Sequence, residues 1–298
     1  MKIYCSPYTE DVENFIEKNI LSKGKRMLHL VPTLILYRKR CYQFYLKHLS
    51  RANFSNFNEN ADNISIIEQR IKEFAPVYEV DQYLYELVKK RNIKNILSKT
   101  EANVLIERVI ENDPKLNNYS WKSLSTNLTD FFIYLNHSGL SFEQICKIDG
   151  SVQWNEIMKI YSEYLNKLKS LNMIDLGMAI NISLGHLDIS EYDGLILDGT
   201  FLPIMNKHIK IIDEFVSSNK EVIFFLPYDV DNKSNPAYNA IKKVYNSFVN
   251  SEDWIDIQDH TRSTTYFLQR LPKSLFKENK TNFDPSVSIV KLPTIEEE

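Results

Sequence analysis

The sequence predicts an α/β fold in which a parallel sheet covered by helices is interrupted by a helical insertion. Three observations carry that expectation. The chain opens as strand, helix, strand, helix over residues 1–49. Strand signals nearly vanish between residues 64 and 182. Strand–helix alternation then resumes from residue 192. Such alternation is the mark of βα units, whose short strands lie side by side under helical crossovers.

MKIYCS, residues 1–6, is the first strand, and Pro7 to Asp11 turns the chain. Val12, Phe15, Ile16 and Ile20 then fall on one helical face. Lys23-Gly24-Lys25 closes that helix, because glycine accepts the left-handed C-terminal position and cations suit the negative end of the helix dipole. MLHLVP is the second strand. A long helix, TLILYRKRCYQFYLKHL, follows from Thr33, whose hydroxyl suits an N-cap.

The middle carries apolar residues at three- and four-residue steps in SIIEQRIKEFA, DQYLYELVKKRNI, TEANVLIERVIEN, SLSTNLTDFFIYLNHSG and WNEIMKIYSEYLNKLKSLN. Asp113-Pro114, Ser138-Gly139 and Asp149-Gly150 punctuate them, so a bundle of five or six helices is expected. Beyond it, YDGLILDG is a strand, NKHIKIIDEFVSSN an amphipathic helix, and EVIFFLP a wholly apolar strand, as a buried parallel strand should be. NPAYNAIKKVYNSFV and TTYFLQRLPKSLF are further helices, and VSIVKL is a last strand. The stop at IEEE, directly after it, is what a fragment of a longer chain would show. The expected division is a core of residues 1–60 and 185–298 with a helical insertion over 61–184.

Composition narrows the function classes. A hydrophobic share of 43% and a charged share of 25% are those of a globular protein with a real core. The formal net charge of −3 disfavours a surface that grips nucleic acid all over, so any such contact must be local or shared with a partner. Cys5, Cys41 and Cys146 lie far apart with no C-x-x-C pair, which supports neither a zinc site nor a disulfide framework and suits a reducing cytoplasm. The N-terminus carries acids early and has no apolar stretch of signal-peptide type, and no run approaches the ~18 residues that span a bilayer. His29, His48, His137, His186, His208 and His260 form no H-x-x-x-H pair, so no metal is expected. Asp229 and Asp231 resemble a carboxylate pair but sit in a polar loop of the kind that usually holds such residues, and the lysines of KKRNIK, residues 89–94, read as a solvated helix end.

Four segments taken in order carry a resemblance: CSPYTEDVENF, LHLVPT with its long helix, YSEYLNKLKSLNMIDLGMAINISL, and YDGLILDGTFLPIMNKHIKIIDEFV followed by EVIFFLPYD. Together they resemble the N-terminal part of superfamily 1 helicases, and more narrowly the helicase-like domain of the AddB/RexB-type subunit of bacterial helicase–nucleases. The resemblance implies a P-loop-NTPase-like α/β domain with a helical insertion. It places the phosphate loop at Cys5–Asp11 and the acidic strand at Asp198. It also implies that Thr33, Arg38, Lys39 and Arg40 lie where the family touches the backbone of single-stranded DNA, where cations would pair with phosphates.

The departures from the family pattern are chemical. A phosphate loop needs glycines for close backbone approach, a lysine for the β/γ-phosphates and a Ser/Thr for magnesium. CSPYTED has no glycine and no lysine, and Glu10 and Asp11 would repel a triphosphate. After Asp198 the helicase pattern calls for a glutamate to orient the attacking water, and this chain has Gly199. The expectation is therefore a domain that hydrolyses no ATP and holds no cofactor, with Asp198 as a vestige. It would scaffold a partner subunit of a helicase–nuclease and help guide DNA in double-strand break processing. Two other readings stand beside it: a protein-interaction module of the same ancestry that binds no DNA, and a metal-dependent α/β enzyme using Asp198.

Overall fold

A computed structural model of the chain describes residues 1–51, 64–113, 119–228 and 236–259. The expected helix at 264–276, the expected strand at 287–292, the Asp229/Asp231 pair and His260 lie outside the described residues. The architecture is α/β, with a six-stranded parallel sheet whose strands, β1 (Lys2–Cys5), β2 (Met27–Val31), β3 (Val77–Glu79), β4 (Gly194–Asp198), β5 (Glu221–Leu226) and β6 (Ile255–Asp256), lie in the order β3-β2-β4-β5-β1-β6. By internal contacts the chain divides into two compact units: 1–23 with 224–298, and 24–223.

The first unit holds β1 (Lys2–Cys5), α1 (Thr9–Asn19), the end of β5 (Glu221–Leu226), α13 (Pro236–Tyr245) and β6 (Ile255–Asp256). β1 pairs in parallel with β6, Tyr4 opposite Ile255. Tyr4, Phe15 and Phe225 meet with ring centroids 4.3 to 5.8 Å apart. Phe224, Tyr245 and Phe248 form a second such group. These aromatic contacts, each adding about 0.5–1.5 kcal/mol beyond simple burial, join the buried aliphatic side chains Ile3, Val12, Ile16 and Ile241 in the apolar layer here.

The second unit opens with β2 (Met27–Val31), every residue of which is buried. Thr33 caps the following helix as expected, its Oγ1 accepting from the Leu36 N–H at 3.3 Å. That helix is α-helical over α2 (Leu34–Arg38), widens to a π-helix over Lys39–Tyr45, and returns to α-helix in α3 (Leu46–Arg51). After α4 (Ile64–Phe74) comes a strand the sequence pattern does not announce, β3 (Val77–Glu79), which pairs with β2 through His29–Val77, Leu30–Tyr78 and Val31–Glu79. Only three residues long, it is too short to show an alternating pattern.

Helices α5 (Val80–Lys90), α6 (Lys99–Asn112), α7 (Tyr119–Ser123), α8 (Ser125–Ser138), α9 (Phe142–Cys146), α10 (Val152–Leu171) and α11 (Leu176–Leu184) follow. The apolar faces of α6, α8, α9 and α10 make one core, including Ile106, Ile110, Phe132, Ile145, Ile160, Tyr161 and Tyr164. Burying each such side chain fully is worth about 1.5–3 kcal/mol. Local signals set the ends. Ser98 and Glu101 form a reciprocal capping box on α6, Ser151 caps α10, and Gly139 ends α8 at φ 78°. Gly177 lies against the carbonyl of Ile133, where a β-carbon would not fit, so α11 crosses close to α8. Asp175 caps α11: its Oδ1 accepts from the Met178 N–H at 2.9 Å. Its Oδ2 accepts from Asn136 at 2.6 Å and from the Tyr164 hydroxyl at 3.1 Å.

β4 (Gly194–Asp198) then returns beside β2, with Leu197 opposite Leu30, and α12 (Asn206–Ser217) leads to β5. Among the described residues, no helix is long and apolar enough to cross a membrane.

Candidate functional site

Parallel strands joined by right-handed crossovers put a crevice where two adjacent strands send their connections in opposite directions, and ligands of open α/β sheets bind outside the carboxyl ends of such strands. In the order β3-β2-β4-β5-β1-β6, β2 leads outward to β3 and β4 leads the other way to β5. The crevice therefore lies beyond Val31 and Asp198, the last residues of β2 and β4. Asp198 stands where the sequence suggested.

Its carboxylate does not face outward as a free ligand. Asp198 is buried, and Oδ2 accepts from Arg40 Nε at 2.5 Å and lies 3.0 Å from His29 Nε2, while Oδ1 accepts from Arg40 Nη2 at 3.2 Å. The two guanidinium bonds give a forked, charge-assisted grip. His29 Nδ1 lies 2.7 Å from the Tyr45 hydroxyl. A carboxylate only accepts, so the bonding pattern puts the imidazole proton on Nε2 and makes Nδ1 the acceptor of the tyrosine O–H. The four groups close into a network joining β2, β4 and the π-helical turn, with both carboxylate oxygens occupied.

The electrostatics follow from that packing. Burial pushes the Asp198 carboxyl up, but the Arg40 guanidinium and the His29 hydrogen bond outweigh it and hold the group at about 2. Burial lowers His29, against the raising effect of Asp198, so the ring is neutral at pH 7. Burial also raises Tyr45, which keeps its proton. Asp198 and Arg40 are thus the charged pair, and His29 and Tyr45 are neutral hydrogen-bonding partners.

Thr33 and Arg38 are exposed, Lys39 is half-buried, and Arg40 is fully buried. Burial and the bond to Asp198 take Arg40 out of the set that could meet an external phosphate. The helix places it there: Tyr37, Arg40, Cys41, Phe44 and Tyr45 all turn inward, and the last four lie within the π-helical segment. Beside Thr33, Leu34 and Ile35 are exposed by 48% and 82%.

Gly199 has a structural reason for being glycine. Its φ is +105°, and a β-carbon there would come within 3.0 Å of Leu36 and 3.2 Å of Pro32. An acid at this position would be both strained and crowded.

In the other compact unit, the turn after β1 is only Ser6-Pro7-Tyr8. The Ser6 N–H donates to the Leu226 carbonyl at 3.2 Å, and its hydroxyl donates to Asp11 at 2.5 Å and accepts from the Tyr8 N–H at 3.0 Å. Glu10 and Asp11 occupy the first turn of α1 and so supply the negative charge that its N-terminus favours. Among the described residues, no three His, Cys, Asp or Glu side chains gather as a metal cage.

Sequence reasoning located Asp198 and Arg40 but not their pairing, and it passed over His29 and Tyr45. One signal pointed to His29: it is the only polar residue in the apolar strand MLHLV, and a buried histidine there needs partners. No protein-family model matches the chain, and a comparison with curated proteins finds no match.

Proposed function

We propose that the chain is a catalytically inert, superfamily 1 helicase-like domain of an AddB/RexB-type helicase–nuclease subunit, one that scaffolds a partner motor and guides DNA during double-strand break processing. The state of Asp198 carries this reading. An acid at the carboxyl end of a central parallel strand is placed to hold magnesium in a P-loop-type ATPase. Here the carboxylate is bound on both oxygens by Arg40 and His29, and the conformation of Gly199 disfavours a second acid. The turn at Ser6–Tyr8 supports the same reading. It offers no glycine and no lysine, and its backbone and hydroxyl are engaged within the protein.

Magnesium–ATP turnover by the purified chain tests the inertness. The expected result is phosphate release at the no-protein background, and repeated turnover would overturn the proposal. Titration of fluorescently labelled single-stranded DNA at low and moderate salt tests the DNA role. Salt-sensitive binding weakened by Arg38→Glu is expected, and no binding even at low salt would sink it.

A second reading, a protein-interaction module of the same ancestry without DNA binding, is favoured by one observation. Arg40 is withdrawn into the interior, and the surface left beside Thr33 carries the exposed apolar pair Leu34 and Ile35. Apolar surface suits a protein partner better than a phosphate backbone.

A further inference from the structure

The eleven residues from Lys89 to Lys99 contain Lys89, Lys90, Arg91, Lys94 and Lys99 and no acid, in a chain of formal net charge −3. They read in sequence as a solvated helix end. In the structure this segment lines a groove of about 680 Å³ formed by the end of α5, the connection to α6 and the start of α11. Its apolar lining comes from Val88, Ile93, Ile96, Leu97 and Leu176, and its charged lining from Lys89, Lys99 and Glu101, with Lys99 also paired to Asp130 at 2.6 Å. Tyr85, half exposed, stands at its edge with the Lys89 ammonium 4.9 Å from the ring centre.

The backbone here is also unfinished. Ile96 forms a parallel bridge with Ile174, through Leu97 N–H to the Ile174 carbonyl at 2.8 Å and Ile174 N–H to the Asn95 carbonyl at 3.0 Å. In a parallel ladder the bonds on one side come from alternate residues, so the N–H and C=O of Ile96 itself point to the other side. No other described residue bonds them.

We propose that this groove docks an extended segment of a partner protein in which acidic and apolar residues alternate, and that the segment adds a strand to the open edge at Ile96. An extended chain presents alternate side chains to opposite sides. One row would cover the apolar lining, the other would meet Lys89 and Lys99, and the main chain would satisfy Ile96, as in strand-addition recognition. A nucleic acid would use the cations alone, leaving the apolar lining wet and the backbone edge unpaired. The inference stands on this groove alone and holds whether or not the helicase-like reading does.

The test uses the full chain and a fluorescein-labelled peptide of sequence Glu-Val-Glu-Ile-Asp-Val. A version with lysine at each acidic position and a short oligothymidylate serve as comparisons. Anisotropy should show binding of the acidic peptide only, weakened by added salt. Hydrogen exchange in the unmodified chain should show the Ile96 amide protected when the peptide is bound. Lys89→Glu with Lys99→Glu should weaken binding at least about tenfold while the thermal melt is unchanged. The proposal is overturned if the acidic peptide does not bind at low salt, if the oligothymidylate binds and the peptide does not, if the Ile96 amide exchanges at the same rate with peptide bound, or if the folded double variant keeps its affinity.

Discussion

Asp198 and Asp175 are two buried aspartates of one compact unit, each at the end of an element, and their carboxyl groups are displaced in opposite directions. Burial is the largest influence on both and pushes both up. At Asp175 the opposing donors are the Met178 and Gly177 backbone N–H groups, the Asn136 amide and the Tyr164 hydroxyl, all neutral, and the carboxyl stays above the usual range. At Asp198 a guanidinium stands 2.5 Å away, and the carboxyl falls to about 2. Four neutral hydrogen bonds leave the desolvation of a carboxylate partly unanswered, whereas a forked cation with the His29 hydrogen bond reverses it. The first arrangement shapes a helix end. The second locks a strand edge with a charge pair that neither partner can leave cheaply.

Breaking the charge pair is the severest test of this contrast. Arg40→Met leaves a buried carboxylate without its cation, and Asp198→Asn leaves a buried guanidinium without its anion. Each should lower unfolding free energy by about 3–5 kcal/mol in urea denaturation. The double variant Arg40→Met/Asp198→Leu should recover much of that loss, because both charges are gone together.

Acid denaturation reads the same contrast without mutation. Asp198 titrates at about 2 when folded against 3.8 ordinarily, so its contribution is complete above about pH 4 and is lost as pH falls toward 2. Asp175 is raised, so folding favours its protonated form and it adds stability as pH falls through its folded value. Urea midpoints measured in acid should therefore fall less steeply with pH in Asp198→Asn than in the unmodified chain. An unchanged slope would contradict the pairing.

Gly199→Ala tests the turn that follows Asp198. Strain at φ +105° together with contact on Leu36 and Pro32 should cost about 1–3 kcal/mol, read as a shifted denaturation midpoint. The mildest change should be Asp175→Asn. It keeps an oxygen for the Met178 N–H and removes a desolvated charge, but it sets an amide donor against that of Asn136, so a loss of about 1–2 kcal/mol is expected at pH 7. A loss as large as that of Asp198→Asn would erase the distinction between the two sites.

What could be read in advance divides along physical lines. The strands MLHLV, GLILD and EVIFFL are continuous apolar runs, and such runs declare buried parallel strands without tertiary knowledge. Thr33, Ser138-Gly139 and the helix faces follow from caps and period, which are local. β3 was hidden because Val77–Glu79 is shorter than any period, and it forms only because β2 offers an edge. The π-helical turn was hidden because Tyr37, Arg40, Cys41, Phe44 and Tyr45 make the same inward face in an α-helix. Asp198 was legible as a strand-end acid. Its partners were not, since Arg40 lies 158 residues away and His29 lies 169 away, and nothing local couples them. The cations of the second helix looked alike in sequence, and only the fold separates exposed Arg38 from buried Arg40.

Gly199 also limits how this chain could change. One substitution can place glutamate after Asp198, but the main chain there would have to leave its left-handed conformation, and Pro32 and Leu36 would have to yield space. Asp198 would then need release from Arg40 before its oxygens could serve an ion. Each step alone costs stability and gains no chemistry. A path to an acid pair at this edge therefore runs through several simultaneous replacements, and a library built to find one should vary positions 32, 36, 40 and 199 together.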